Sequence, residues 1–185
     1  MTMNTVKRSK DCACTHLLNG SQGDVILISA GGPRRNGGCP AAALCDALPA
    51  RVLSGVCRYD NGHSHKIMAA ALAAHRAAII VDTTCHGTTA NTVTISNMGT
   101  AFDRHSVSDL RARRGAPAAY GFRKDRGPGH LPRRVIFFEV EIDEGVWSWR
   151  PNAGFREQMP ALVASLSLLI ARMVETVKRD AKKKS

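Results

Sequence analysis

The sequence predicts an α/β fold, a three-layer α/β/α sandwich whose middle layer is a mostly parallel, twisted five-stranded sheet with helices on both faces. Three observations predict it. Short apolar runs rich in β-branched residues recur along the chain, clearest in Val25-Ile26-Leu27-Ile28 and Ala78-Ile79-Ile80-Val81, and such runs read as strands buried on both faces of a parallel sheet. Alanine- and leucine-rich segments of helical length alternate with them. A final run, Val135-Ile136-Phe137-Phe138-Glu139-Val140-Glu141-Ile142, passes from apolar into alternation and precedes a long amphipathic segment.

The elements follow in order. Residues 1–22 form a polar leader, 23–178 a single domain and 179–185 a basic tail. Asp24–Ser29 is the first strand, ending in the turn Ala30-Gly31-Gly32-Pro33-Arg34-Arg35-Asn36-Gly37-Gly38. A helix is expected from Pro40 to Ala50, with proline tolerated in its first turn. Arg51–Arg58 reads as a second strand ending at Tyr59-Asp60-Asn61-Gly62, and Ser64–Arg76 as a second helix capped by Ser64. The strand ending at Asp82 comes next, then Thr92–Ile95, expected to run antiparallel to its neighbours. A short basic helix reaches Arg114, and the stretch to Arg134, broken by Gly115, Pro117, Gly121, Gly127 and Pro128, is a loop. Pro160–Lys178 closes the chain as a helix with Leu162, Leu166, Leu169, Ile170, Met173 and Val177 on one face.

Composition narrows the function classes. The formal charge of +11 invites an anionic partner. The basic residues, however, gather at Lys7–Lys10, in the Arg111–Arg134 loop and at Lys178–Lys184. Aromatic residues make up only 5% of the chain and do not interleave with those arginines as a base-stacking platform would. Zinc-finger, helix-turn-helix and RNA-recognition signatures are absent, so a nucleic-acid partner is not expected. No apolar stretch approaches the roughly 20 residues that cross a bilayer, and the polar N-terminus lacks the apolar region of a signal peptide. A cytoplasmic monomer with no membrane partner is the expectation. The six cysteines show no regular spacing and no Cys-x-x-Cys pair, as fits free thiols, with Cys45 and Cys57 as small core side chains.

Several residues qualify for chemistry. Asp82 closes a buried strand, where open α/β sheets place ligands beyond the strand tips. His105, in Asp103-Arg104-His105-Ser106, stands at the entrance of a helix on the same side. An aspartate oxygen and an imidazole nitrogen together suit zinc, nickel or cobalt; a strand-end aspartate equally suits helix capping. The glycine-rich turn lacks both the Gly-Lys-Ser/Thr of a P-loop and a G-x-G-x-x-G fingerprint, which excludes the common nucleotide-binding signatures and leaves no organic cofactor expected. Cys39 near a helix start could be a nucleophile with His86 or His105 as base, but an incidental thiol is favoured. Cys12, Cys14 and His16, and His63 with His65 near Asp60, are weaker metal candidates.

The order of these motifs resembles the maturation endopeptidases of nickel–iron hydrogenases. In that family a first strand and acidic, glycine-rich turn correspond to Gly31–Gly38; a strand ending in a D-G-G-T motif to Asp60-Asn61-Gly62-His63; an apolar strand ending V-D-A to Val81-Asp82-Thr83; and a following glycine-led segment to Gly87–Val93. A histidine leading into a helix is similar to His105, and a late strand and long C-terminal helix to Val135–Ile142 and Pro160–Lys178. The resemblance spans residues 24–178 and implies an aspartic-type endopeptidase that removes a C-terminal extension from the nickel-loaded hydrogenase large subunit. It implies Asp82 and His105 as the residues that contact nickel and carry catalysis, with Asn36, Asp60 and His86 as further contributors. Nickel is then sensed in the substrate, the large-subunit precursor, and is not a permanent cofactor. Where the family has an acidic pair in its first turn, this chain has Gly37 and Gly38. Two other functions therefore stand beside proteolysis: a non-cleaving hydrogenase assembly factor on the same fold, and an anion- or nucleic-acid-binding α/β domain.

Overall fold

The computed structural model describes residues 24–30, 40–61, 71–84, 89–97, 132–142 and 153–183. Within them the order is β1 (Val25–Ala30), α1 (Pro40–Asp46), β2 (Val56–Asn61), β3 (Ala77–Thr84), β4 (Val93–Asn97), β5 (Arg134–Glu141) and α2 (Ala153–Lys182). The strands form one five-stranded sheet in the order β2-β1-β3-β5-β4. β1, β2, β3 and β5 run parallel, and β4 pairs antiparallel with β5. The expected five-stranded, mostly parallel sheet with one reversed strand is what the chain forms.

The sheet is apolar on both faces because helical segments cover both. Strand alternation sends Val25, Leu27, Ile79, Val81, Phe138 and Val140 to one face, where they pack with Leu44 of α1 and with Phe155, Leu162, Leu166, Ile170, Met173 and Val177 of α2. Ile26, Ile28, Ala78, Ile80, Val135 and Phe137 point to the other face, against Ala71 and Leu72 of a helical turn at residues 71–73. This arrangement explains why the strands read as continuous apolar runs. Cys45 is buried and Cys57 half-buried, as small core residues would be.

Several boundaries differ from the sequence expectation. α1 stops at Asp46, short of Ala50, because Pro49 disfavours helical geometry at the residue before it. Arg58 braces the helix end by donating to the Cys45 carbonyl and to Asp46. Residues 51–55 are turns, tied by Val52 N–H to Pro49 C=O and Leu53 N–H to Ala50 C=O, with Gly55 at φ +76°. The second strand is thereby displaced to Val56–Asn61, which puts Asp60 inside the strand. α2 begins at Ala153, before Pro160; the ring forfeits one helical bond, and burial of Phe155 against the sheet holds the first two turns.

α2 also contains an 18-residue window of mean hydropathy 1.5, so by length and composition it is apolar enough to cross a membrane, contrary to the reading of the sequence. The deep stripe of α2 nevertheless packs on the sheet, as that of a core helix does. Its outward side between Gln158 and Ala171 carries no charge, and Leu168 is 54% exposed.

The far end of α2 is tied to the start of β5 by Arg134, which donates to Asp180 at 3.0 Å. The guanidinium holds the Asp180 carboxyl below the usual carboxylate range, with Arg179 and Lys183 adding to the effect. A carboxyl depressed in the folded state contributes stability that is present above its unfolded value near 3.8 and is lost as pH falls through the folded value. Asp180→Asn should therefore lower the urea midpoint slightly at about pH 6 and by progressively less as the pH is taken down below the unfolded value, with the difference fading in high salt. Equilibrium unfolding across that pH range checks this.

Candidate functional site

The strand order sets the place of the site. From β1 the chain proceeds outward to β2, then returns across β1 to β3, so the connections leave β1 and β3 in opposite directions. At such a reversal the carboxyl ends of the two central strands part and open a crevice, the usual ligand position in open α/β sheets. Asp82 lies near the carboxyl end of β3, beside that reversal.

Asp82 is only 1% exposed. Its Oδ1 accepts a hydrogen bond from the backbone N–H of Thr83 at 2.8 Å, which fixes the carboxylate relative to the strand end. By strand alternation it shares the face of Ala78 and Ile80, opposite the face covered by α1 and α2. Asp60 pairs in register with Ser29, which also pairs with Val81, so its backbone stands one strand beyond β1 and one residue short of the Asp82 level. Of the sequence candidates, Asp82 and Asp60 are thus carried to the same edge of the sheet. Asn36, Cys39, His63, His65, His86 and His105, like Cys12, Cys14, His16 and most of the Arg111–Arg134 loop, lie outside the described residues.

The structure adds two acids that the sequence reading passed over. Glu139 pairs in register with Asp82, and Glu141 with Thr84. Both are buried, Glu139 at 3% exposure. Alternation puts Glu139 and Glu141 on the face of Val135 and Phe137, the same face as Asp82. The signal for them is the Glu-Val-Glu pattern, which reads as a half-solvated strand end. β5 is instead an interior strand, paired with β3 on one side and β4 on the other. The Asn91 turn closes over its end: Asn91, at φ 66°, donates to the Glu141 carbonyl at 2.7 Å, and the Glu141 N–H donates to the Thr92 carbonyl at 2.9 Å. Asparagine tolerates that left-handed conformation better than most residues.

Three carboxylic acids therefore stand on one face near the carboxyl edge. Carboxylates buried together favour a bound cation or a shared proton. Among the described residues, no group of three or more histidine, cysteine, aspartate or glutamate side chains is arranged to hold a metal ion.

Comparison with solved structures agrees with this architecture. HybD, the hydrogenase-maturating endopeptidase of Escherichia coli, superposes with a TM-score of 0.57 at 18% identity, over 80% of this chain and 93% of HybD. The solution structure of an endopeptidase from Escherichia coli gives a TM-score of 0.56 at 16% identity, with the same coverage of 80% and 93%. The chain has the HybD fold. The five-stranded α/β fold implied by the motif order is the one the chain adopts. No family model matches the sequence, and no curated protein matches it. At this identity the agreement with HybD is one of architecture, and the chemistry has to be argued from the residues.

Proposed function

We propose that this chain is a divergent member of the hydrogenase-maturation endopeptidases, which cuts a C-terminal extension from the nickel-loaded large-subunit precursor of a nickel–iron hydrogenase. The single observation that carries the reading is Asp82, a buried, oriented carboxylate at the strand reversal of a HybD-like sheet. The order of motifs in the sequence supports the same reading.

In this reading Asp82 and His105 are the working pair, with Asn36, Asp60 and His86 in supporting roles. The nickel ion belongs to the substrate. Its contact with the Asp82 carboxylate and the His105 imidazole is what distinguishes a loaded precursor from an empty one. Hydrolysis adds water across the scissile amide: a C–O bond forms at the carbonyl carbon, the C–N bond breaks, and the water's proton ends on the leaving amine. A carboxylate and an imidazole on one crevice supply the groups that accept and return that proton. The Thr83 N–H holds the carboxylate in a fixed orientation, so little reorganisation is needed when substrate arrives. The protein works in the cytoplasm, on a protein partner.

Mass spectrometry of a nickel-loaded large-subunit precursor incubated with the chain tests this directly. The expected result is loss of a defined C-terminal peptide that depends on nickel and on His105. An intact precursor after prolonged incubation overturns the protease reading.

Gly37 and Gly38 favour one second reading, a non-cleaving assembly factor that binds the loaded precursor, since the turn offers no carboxylate to the cation. An uncut precursor that co-purifies with the chain supports that alternative. The same turn yields a prediction. Gly38→Glu is expected to tighten Ni²⁺ binding about tenfold or more, the scale on which ligand-shell changes act. Calorimetric titration of both proteins with Ni²⁺ measures it, and equal affinities mean that the turn does not face the metal.

A further inference from the structure

The outer edge of β4 lies level with the candidate site. β4 is the last strand of the sheet, paired only with β5 among the described residues. The Glu141 N–H donates to the Thr92 carbonyl, which fixes the phase of the antiparallel ladder. Alternation from Thr92 turns the backbone groups of Thr94 toward β5 and those of Val93 and Ile95 away from it. An outward row of N–H and C=O groups is a template for one more strand.

Natural edges are usually blunted by lysine, proline or a charged side chain. β4 reads Val93-Thr94-Ile95-Ser96-Asn97, with no charge and no proline. Ile95 is 55% exposed, a large β-branched side chain on a strand with high intrinsic β-propensity. These are the features of an edge that accepts a strand.

The position links the edge to the chemistry. Thr94 is in register with Glu139, and Glu139 with Asp82, so the middle of β4 lies level with the buried carboxylates. A strand added to β4 would lie three strand spacings from β3, or about 14 Å. About four to five extended residues span that distance.

We propose that β4 binds the C-terminal segment of the precursor as an added β-strand, with four to five residues of the same segment leading from the edge to the bond cut at Asp82. This rests on the maturation reading and names the surface by which the site holds its substrate. Backbone hydrogen bonds to Val93 and Ile95 supply the affinity, and the Ile95 side chain selects an apolar or β-branched residue opposite it.

The test uses the full-length chain, a synthetic peptide carrying the precursor's C-terminal segment across the cut, and the nickel-loaded precursor itself. Adding the peptide is expected to slow hydrogen exchange at the Val93 and Ile95 amides. Ile95→Pro removes an outward N–H without touching the ladder to β5, and is expected to raise KM for the precursor about tenfold with kcat unchanged. Ile95→Lys keeps the backbone donor and charges the edge; it should raise KM in the same way, and it stands in if the proline disturbs the strand. Unchanged amide exchange, or an unchanged KM in a folded Ile95→Lys, overturns the proposal. If wild-type chain still cuts the precursor in that case, the maturation reading survives without this edge. Amides slowed by the peptide while the precursor stays uncut support the edge and sink the cleavage reading.

Discussion

Asp82→Asn is expected to reduce nickel-dependent processing of the precursor by at least about 10²-fold, the lower range for loss of a proton-handling group, while leaving the fold intact. The amide is the informative choice. Its side-chain oxygen accepts the same hydrogen bond from the Thr83 N–H that the carboxylate accepts at 2.8 Å, so the local backbone keeps its partner. The negative charge is lost, and an amide NH2 takes the place of the second oxygen. Asp82→Ala loses the acceptor as well, and a buried N–H left without its bond costs about 1–3 kcal/mol. The pair separates charge from structure: both variants should fail in processing, and the alanine variant alone should show a lowered unfolding midpoint. Single-turnover cleavage assays with urea unfolding on the same preparations check both halves. A fully active Asp82→Asn would remove Asp82 from the chemistry and reduce it to a strand-end cap.

Glu139 provides the internal comparison. It is buried beside Asp82 in register, on the same face. If the site needs the negative charge of the carboxylate face as a whole, Glu139→Gln lowers processing too. If only Asp82 touches the reacting groups, Glu139→Gln leaves kcat near wild type. The same assay reads both variants.

How much of this was legible in the sequence depends on which physical signal each element carries. β1 and β3 announce themselves because a strand buried on both faces has to be apolar at every position, as Val25–Ile28 and Ala77–Val81 are. β2 was misplaced because Val52 and Leu53 extend the apolar run of Val56 and Cys57 toward Arg51; the turn geometry around Pro49 and Gly55, which composition does not display, decides against a strand there. Pro160 was read as a helix start since proline is at home there, whereas burial of Phe155, a tertiary contact, extends α2 backward past it. Glu139 and Glu141 were missed for a related reason. Alternation promises solvent on one face, and only the pairing of β4 outside β5 makes that strand interior. Asp82 was legible because a lone carboxylate ending an apolar run is conspicuous whatever packs around it. Asn36, His86 and His105 lie outside the described residues.

Leu166→Ala is expected to destabilise the protein by about 2–5 kcal/mol, a large share of a typical domain's total. Leu166 is fully buried where the middle of α2 packs on the sheet, among Leu162, Ile170 and the strand residues of that face. Truncation forfeits the transfer free energy of the leucine and leaves a cavity between a 30-residue helix and the sheet. Leu168, two residues on and 54% exposed, supplies the control: Leu168→Ala should stay within about 0.5 kcal/mol of wild type. The consequence for function follows from the faces. α2 packs on the side of the sheet opposite Asp82, so removing Leu166 reduces the folded fraction without altering the register of β3 against β5 that levels Asp82 with Glu139. Activity per folded molecule should then be unchanged at temperatures well below the lowered midpoint, and should fall only as the folded population does. Urea unfolding and activity measured against temperature test this together; a variant that is folded yet inactive would show that the helix layer and the carboxylate face are coupled through the sheet.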